Sequence, residues 1–447
     1  MSRRSSALAA LLMAGAALAA GTAARAQLLP SLPVGVPSLP LPGATRGLPV
    51  VGDLLSGISQ SEQQAAIAPS LDRLGVAPAI GGLAESSLAE LRRLRLGELV
   101  RTNRETLEMG QGGAPVRRGV LIAIDPDAED LARAARLGYR VEAREDLGGL
   151  TSVTLRLPRG ISVKEGVKQL AKAAPGMTLD ADPIYEPAGG ALLPIAGAVL
   201  AGASPPPVPA GKVIVMIDGG VAAHPSLARA RLVQQGFAGA AKPTGHGTAV
   251  ASLLVGQDGQ FRGAAGGATL YVADVYGGSP AAGSASAIVR ALAWAASKNP
   301  DAISISLVGP SSILLQRAVA ILAARGIRMV AAVGNDGPAA PIQYPAAYPA
   351  VTAVTAVDAR DRALPEAGRA ARLDFAAPGA DMAAALPGRG YAKVRGTSFA
   401  TPLVAARLAA TGSAQALERE VAQGRGKVGR GIVCRTCRTD PKVVGAK

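Results

Sequence analysis

The chain has 447 residues, of which 49% are hydrophobic and only 3% are aromatic. This length predicts more than one folded unit, and the many alanines and glycines indicate close backbone packing instead of large aromatic clusters. The formal net charge of +15 would suit an anionic partner, but no basic stripe with interleaved aromatic residues and no nucleic-acid-binding module accompanies it. We therefore expect no nucleic-acid partner.

The N-terminus has the pattern of an export signal. Arg3 and Arg4 precede an apolar run from Ala7 to Ala20, and an Ala-Arg-Ala run follows at positions 24–26. The apolar run is too short to anchor the chain in a bilayer, and the small residues after it are typical of a signal-peptidase site. We expect residues 1–26 to be a removed signal peptide and the protein to be secreted or periplasmic.

Residues 27–115 form a leader of two parts. Prolines recur from Gln27 to about Ser56 and exclude a helix or a central strand there. From about Ser61 to Met109, leucines recur at intervals of three and four residues, as in SLAELRRLRLGELV, which favours a pair of helices. The pattern does not indicate a role for either part.

Residues 116–187 predict a small α+β domain with the element order βαββαβ. Ser162 and Glu165 form the pattern of a capping box at the start of its second helix. The order is that of the split βαβ (ferredoxin-like) arrangement, a four-stranded sheet with two helices on one face. The expected strands are Val120–Ile124, Tyr139–Ala143, Thr151–Leu157 and Met177–Ala181, and the expected helices are Ala128–Leu137 and Ser162–Ala173.

Residues 188–210 have the composition of a linker exposed to proteolysis. Their glycines, Pro194 and the closing PPPVP run argue against a packed helix. The apolar middle of this segment leaves a membrane span as an alternative, which the same residues disfavour. We expect no stable membrane span.

From residue 211 to residue 437, apolar strands alternate with helical stretches. The strands are VIVMID, TLYVADVY, AISISL, RMVAAVG and PAVTAVTAVD. Continuous apolar strands separated by helices indicate a mostly parallel sheet covered on both faces, and hence a doubly wound α/β domain. Residues 438–447 would form a tail.

Three runs in this domain each place one reactive side chain at a strand end or a helix start. Asp218 ends VIVMI, His246 lies in GHGTAVASLLVG and Ser398 lies in RGTSFATPLVAA. A serine hydroxyl needs a base that takes its proton, imidazole titrates near neutrality, and a carboxylate can fix the imidazole tautomer. Asn335, after RMVAAVG, can donate its amide N–H to a developing oxyanion beside the Ser398 backbone N–H.

The runs IVMIDGGVAAHPSL, GHGTAVAS, AAVGNDGP and GTSFATPLVAA, in this order, resemble the subtilisin-like serine peptidases of family S8. The resemblance spans about Gly211 to Val433. It implies hydrolysis of peptide bonds in protein or peptide substrates, with Asp218, His246 and Ser398 as the catalytic triad. It also implies Asn335 as the oxyanion donor and a substrate-binding set of Ser306, Leu307, Val308, Gly309 and Gly334.

By the same resemblance, the βαββαβ segment would be a pro-region that assists folding and inhibits the enzyme until it is removed. A cut between Pro187 and Pro209 would suit this role. The sequence departs from the family pattern at two positions. Ala249 replaces a second histidine after GHGT, and Val308 replaces a glycine in SLGG, which would narrow the adjoining pocket and change specificity.

Other interpretations of the same residues remain. His224 could replace His246 as the base and Asp274 could replace Asp218, although we expect local structural roles for both. The domain could be a non-catalytic binding scaffold, yet no triad residue is missing. An esterase of the α/β-hydrolase type is disfavoured because the order is Asp, His, Ser and no GxSxG run occurs.

Cys434 and Cys437 are the only cysteines, in the run VCRTC. Zinc would need two further ligands and a redox CxxC normally opens a helix after a strand, so we favour a small disulfide. The sequence identifies no cofactor with certainty. Structural calcium stays possible, although no Asp-rich loop identifies its ligands.

Overall fold

A computed structural model of the chain describes residues 81–189, 191–194, 206–279, 281–388 and 390–444. The predicted signal peptide, the Pro-rich leader and the apolar middle of the predicted linker lie outside the described residues. None of the described helices has both the length and the hydropathy to cross a membrane. Cys434 and Cys437 are bonded to each other as a disulfide.

The helices and strands follow each other along two regions, the first ending near residue 187. The helices are α1 (Gly81–Thr102), α2 (Ala128–Arg136), α3 (Val163–Ala173), α4 (Gly245–Val255), α5 (Ala285–Ala296), α6 (Ile313–Ala324), α7 (Thr397–Thr411) and α8 (Ala414–Leu417). The strands of the first region are β1 (Leu107–Met109), β2 (Pro115–Arg117), β3 (Val120–Ile124), β4 (Arg140–Asp146), β5 (Thr151–Arg156), β6 (Thr178–Asp180) and β7 (Glu186–Pro187). The later strands are β8 (Ala191–Pro194), β9 (Val213–Asp218), β10 (Arg231–Gly236), β11 (Gln257–Asp258), β12 (Phe261–Arg262), β13 (Thr269–Asp274), β14 (Ala302–Ile305), β15 (Leu307–Val308), β16 (Met329–Ala332), β17 (Val351–Val357), β18 (Phe375–Pro378), β19 (Ala380–Ala385) and β20 (Tyr391–Arg395).

The small domain is a four-stranded antiparallel sheet in the order β4-β5-β3-β6, packed against α2 and α3. Ser162 and Glu165 form both bonds of the capping box at the start of α3, as the sequence predicts. Leu121, Val153 and Leu170 are almost completely buried between the sheet and the helices. The βαββαβ arrangement is therefore present at the predicted positions.

The end of the segment before the small domain differs from the helical prediction, whose residues 61–80 lie outside the described part of the chain. Helix α1 ends at Thr102, and residues 107–109 form β1, which pairs antiparallel with β2. Gly112 and Gly113 adopt positive φ angles of 70° and 74° between these strands, a conformation that a continuing right-handed helix cannot contain. Leucine spacing alone did not reveal this turn.

The large domain is built on a seven-stranded sheet in the order β10-β13-β9-β14-β16-β17-β18, parallel at every pairing. Side chains alternate along β9, because successive residues of a strand point to opposite faces. Ile214 and Met216 pack with α4 and α7, whereas Val215 and Ile217 pack with α5 and α6. The doubly wound α/β fold predicted from the sequence is confirmed.

The small domain contacts the large one through two carboxylates at its last strand. Asp180 accepts hydrogen bonds from the Ser312 hydroxyl (2.7 Å) and the Leu314 N–H (3.0 Å) at the start of α6. Asp182 accepts bonds from the backbone N–H (2.9 Å) and hydroxyl (2.7 Å) of Ser286 at the start of α5. Helix N-termini carry unpaired N–H groups and partial positive charge, so carboxylates stabilise them. These two caps fix where the chain continues towards β7.

The small domain should lose stability when its core is truncated. Leu170 is fully buried between α3 and the sheet, so Leu170→Ala should lower the free energy of opening this domain by about 2–5 kcal/mol. Val141→Ala, at a half-exposed position on β4, should change it by no more than about 0.5 kcal/mol. Hydrogen exchange of β3 and β5, followed by mass spectrometry, measures both free energies. Equal exchange in the two variants would contradict this packing.

Candidate active site

Asp218 and His246 form a buried acid–base pair. Asp218 ends the central strand β9, and His246 lies in the first turn of α4. The Nδ1 atom of His246 lies 2.9 Å from Oδ1 of Asp218, and the Gly219 N–H donates to the same oxygen at 2.6 Å. Gly247 lets α4 approach this closely, because any side chain there would clash with the Gly219 carbonyl. The pair fixes the Nδ1–H tautomer of the imidazole.

Ser398 lies at the N-terminus of α7, directly before the residue whose ring contacts the His246 imidazole. It is completely buried, and its backbone carbonyl accepts a hydrogen bond from the Ser306 hydroxyl at 3.0 Å. The His246 ring contacts the ring of Phe399, with centroids 5.4 Å apart. In the described part of the chain, neither Oγ of Ser398 nor Nε2 of His246 has a hydrogen-bond partner. Neither atom is therefore engaged by a competing hydrogen bond from another described group.

Asn335 is held by its own amide oxygen. The Thr397 N–H donates to Oδ1 of Asn335 at 2.9 Å, and the Gly334 N–H donates to Oγ1 of Thr397 at 3.2 Å. These bonds point the amide nitrogen of Asn335 towards the cleft, where it donates to the backbone carbonyls of Ala188 and Gly189. The side chain therefore has the orientation that a carbonyl oxygen in this cleft requires.

The cleft itself is occupied by the chain that follows the small domain. Strand β7 pairs antiparallel with β15, so that Glu186 lies opposite Val308 and Pro187 lies opposite Leu307. The Ala188 N–H donates to the carbonyl of Ser306 at 2.8 Å. Ala188, the first residue of the predicted linker, is thus buried and hydrogen-bonded. It extends the strand that adds to the edge of β15, as a bound peptide adds to the edge of a sheet.

Further along, residues 191–194 form β8 and pair antiparallel with β20. The sequence predicted an irregular linker for this stretch, and the strand is a correction to that expectation. Glycines precede this stretch and Pro194 ends it, but the edge of β20 offers unpaired backbone groups that a short extended segment can satisfy.

The predicted substrate-binding residues line this occupied cleft. Ser306, Leu307 and Val308 bond or pair with the inserted strand. Gly309 lies under the ring of Tyr185, whose hydroxyl donates to the Pro310 carbonyl at 2.7 Å. A methyl group on Gly334 would lie 3.5 Å from Cγ1 of Val308, so Gly334 and Val308 face each other. The structure brings all nine predicted site residues to one region of the described chain.

Two arginines of α1, which the sequence analysis missed, also lie at the cleft. Arg95 bridges Glu186 (3.0 Å) and Asp336 (3.4 Å), and Arg92 contacts Asp336 at 3.1 Å. Burial opposes the charge on Arg95, but the two carboxylates outweigh burial and raise its pKa. Burial also raises the pKa of Asp336, against the effect of the arginines. The only sequence signal for this contact was the spacing of the arginines, three residues apart on one helix face.

The alternative catalytic residues have structural roles. His224 bonds Ser226 through Nδ1 (2.8 Å) and the Gly390 carbonyl through Nε2 (2.9 Å). Asp274 accepts the backbone N–H groups of Lys242 and Tyr276, which stabilises a turn after β13. Neither side chain is available as a base or as its orienting acid, as expected. Within the described residues, no group of three or more His, Cys, Asp and Glu side chains could hold a metal ion.

Comparisons with known proteins identify the family of the large domain. Residues 212–423 match the model of the Subtilase family. Subtilisin Savinase of Lederbergia lenta is 37% identical over 201 residues, which cover 44% of this chain and 74% of that protein. The alkaline protease of Alkalihalobacillus alcalophilus is also 37% identical over 201 residues, and this match covers about half (52%) of its length.

The fold has a solved counterpart in fervidolysin from Fervidobacterium pennivorans, with a TM-score of 0.61 at 18% identity. That match covers 74% of this chain and 61% of fervidolysin, which supports the fold alone. The family follows from the sequence relatives, since three quarters of Savinase aligns at 37% identity. The chain belongs to the subtilase family and is a serine-type endopeptidase.

Proposed function

We propose that the chain is an exported zymogen that hydrolyses peptide bonds with Asp218, His246 and Ser398 and first cuts its own chain after Ala188. One observation carries this proposal. The cleft holds Ala188 of the inserted segment at both ends. The Ala188 N–H donates to the Ser306 carbonyl, and the Ala188 carbonyl accepts a hydrogen bond from the Asn335 amide. Ser306 also donates its hydroxyl to the backbone carbonyl of the buried Ser398, so the same residue links the held peptide bond to the serine, which is the arrangement expected of a substrate.

The chemistry follows from the positions of these groups. Oγ of Ser398 attacks the Ala188 carbonyl carbon while Nε2 of His246 takes the hydroxyl proton. Asp218 stabilises the resulting imidazolium through the 2.9 Å contact to Nδ1. Asn335 and the Ser398 N–H stabilise the oxyanion. The imidazolium then gives its proton to the departing amine of Gly189, and water, deprotonated by His246, cleaves the acyl ester and restores the serine.

The contacts of the small domain support its role as an intramolecular inhibitor. Its strand β6 and the residues after it cap α6 and α5 through Asp180 and Asp182. The chain then enters the cleft and occupies the β15 edge, where it excludes other peptides. The same segment that is cut would therefore block the cleft until it leaves.

Export is part of this proposal and is supported by the N-terminal sequence. Arg3, Arg4 and the apolar run from Ala7 to Ala20 have the charge and length of a signal peptide. The single disulfide between Cys434 and Cys437 is compatible with an oxidising compartment.

Replacing the nucleophile tests the proposed self-processing. In Ser398→Ala the bond Ala188–Gly189 should stay intact, and hydrolysis of added casein should fall by at least about 10⁴-fold, because the proposed attacking hydroxyl is removed. Mass spectrometry of the purified protein reads the N-terminus, which should be Gly189 in the wild type.

A matched control is Ser304→Ala, which removes another fully buried serine hydroxyl without a partner, on β14. This variant should process normally. Cleavage of the Ser398→Ala chain after Ala188 at the wild-type rate would contradict the proposal. A wild-type chain that stays uncut and inactive would favour the non-catalytic scaffold.

Inhibition by the separated pro-region should weaken as the pH rises. Burial raises the pKa of Asp180 to about 6 from 3.8, although its hydrogen bonds to Leu314 and Ser312 act in the opposite direction. The docked carboxyl therefore holds a proton that the free one releases, so this contribution to affinity is complete at low pH and is lost as the pH rises through about 6. We expect the inhibition constant of residues 81–188 on the processed enzyme to rise about tenfold from pH 5 to pH 7.5.

Asp180→Asn is the control for this titration. It removes the proton exchange but keeps a side chain that can accept the Ser312 and Leu314 bonds. The ratio of the two inhibition constants at each pH isolates Asp180 from the other ionisable groups of the interface. A ratio that does not vary with pH would contradict the raised pKa of Asp180.

A further inference from the structure

We propose that Val308 restricts this peptidase to substrates with alanine or glycine directly before the scissile bond. This inference rests on the proposed function and names its substrate class. It starts from the residue that the cleft already holds, because the Ala188 side chain occupies the position before the bond to be cut.

The position of the Ala188 side chain is set by backbone hydrogen bonds and by packing. Its backbone is held by the Ser306 carbonyl and by Asn335, and the residue is only 1% exposed. It packs in one small cluster with Val308 and Ala332, both of which are also buried. The pocket for this position is therefore lined by the Val308 side chain and by the end of strand β16.

The space between Val308 and Gly334, the residue before the Asn335 that holds the Ala188 carbonyl, is too narrow for a large side chain. A methyl group on Gly334 would meet Cγ1 of Val308 at 3.5 Å and Cγ2 at 3.9 Å, and it would meet Cγ of Gln343 at 3.5 Å. Since a Cα–Cβ bond is about 1.5 Å long, Cγ1 of Val308 lies no more than about 5 Å from the Gly334 Cα atom. A ring between two carbon walls needs about 7–8 Å, which is two contact distances.

Val308 causes this narrowing, because Gly334 has no side chain to remove. Gly334 has a φ angle of 92°, a conformation that disfavours any other residue. Replacing Val308 by glycine would remove three carbon atoms from the opposite wall while leaving the β15 backbone that pairs with Glu186. The pocket would then be open to leucine and phenylalanine.

Tyr185, and not Ala188, supplies the large buried side chain of the strand bound in the cleft. Tyr185, three residues before Ala188, is completely buried, with its ring on Gly309 and its hydroxyl on the Pro310 carbonyl. A small residue before the scissile bond is thus compatible with tight binding of the strand. Test peptides should carry the sequence Tyr-Glu-Pro that precedes Ala188.

The first experiment uses the whole chain as its own substrate. Ala188→Phe in the otherwise wild-type protein should remain uncut at this bond, because the ring does not fit beside Val308. Adding Val308→Gly to Ala188→Phe should restore cleavage, read by mass spectrometry as a new N-terminus at Gly189. Normal cleavage of the Ala188→Phe chain, or no restoration in a folded double variant, would overturn the inference.

The second experiment measures kcat/KM of processed enzyme on acetyl-Tyr-Glu-Pro-Xaa-p-nitroanilide peptides, with Xaa as alanine, leucine or phenylalanine. The wild type should favour alanine over phenylalanine by at least about 100-fold, and Val308→Gly should reduce that ratio at least about tenfold. Gly309→Ala should lower kcat/KM for all three peptides without changing their ratio, because it obstructs the tyrosine ring.

The outcomes separate this inference from the proposed function. A wild-type enzyme that cleaves the phenylalanine peptide as well as the alanine peptide is a peptidase, but Val308 does not select its substrates. A ratio of kcat/KM between the alanine and phenylalanine peptides that Val308→Gly leaves unchanged would also show that Val308 does not select substrates. Failure of wild-type enzyme to hydrolyse any of the three peptides, together with a chain that is never cut after Ala188, overturns the proposed function and the inference with it.

Discussion

The parallel alignment of three neighbouring strands determines the rest of the active site. Strands β9, β14 and β16 are adjacent in the sheet and run in one direction, so their carboxyl ends meet at the same edge. Asp218 ends the first, Ser306 follows the second, and Asn335 follows the third after a short turn. The Asp218 carboxylate, the cleft strand and the Asn335 amide are thus positioned by backbone pairing. Helices α4 and α7 pack on one face of that sheet and add His246 and Ser398 from their N-termini.

Much of this arrangement could be predicted from the sequence because its parts are local. A short apolar run that ends in Asp218 predicts both a buried strand and a carboxylate at its end. In the same way, a glycine beside His246 before an apolar run predicts both a helix start and an imidazole at that position. Two strands of the seven-stranded sheet were missed, for different reasons. Strand β10 is a sheet edge with mostly exposed polar residues, and β18 is a short Ala-containing edge strand without β-branched residues.

Contacts between distant segments could not be predicted in this way. Nothing around Arg95 indicates that its partners are Glu186 and Asp336, which lie 91 and 241 positions further along the chain. Likewise, Tyr185 in IYEP has no local feature of a buried anchor, and its place on Gly309 depends on the docking of the whole small domain. Val308 was identified as a departure in the sequence, but the width of the space that it leaves follows only from the packing of Gly334 and Gln343.

The bridge made by Arg95 has a consequence for the strand that occupies the cleft. Glu186 and Asp336 are both acidic, and each lies within 3.4 Å of the same guanidinium group. Arg95 of helix α1 is therefore the cation that allows Glu186 of the inserted strand to lie near Asp336 of the cleft. Without the guanidinium of Arg95, these two carboxylates of like charge would face each other at the cleft, and holding both of them there in the charged form would cost free energy. The fit of the strand in the cleft therefore depends on a helix that ends more than eighty residues before Ala188 in the chain.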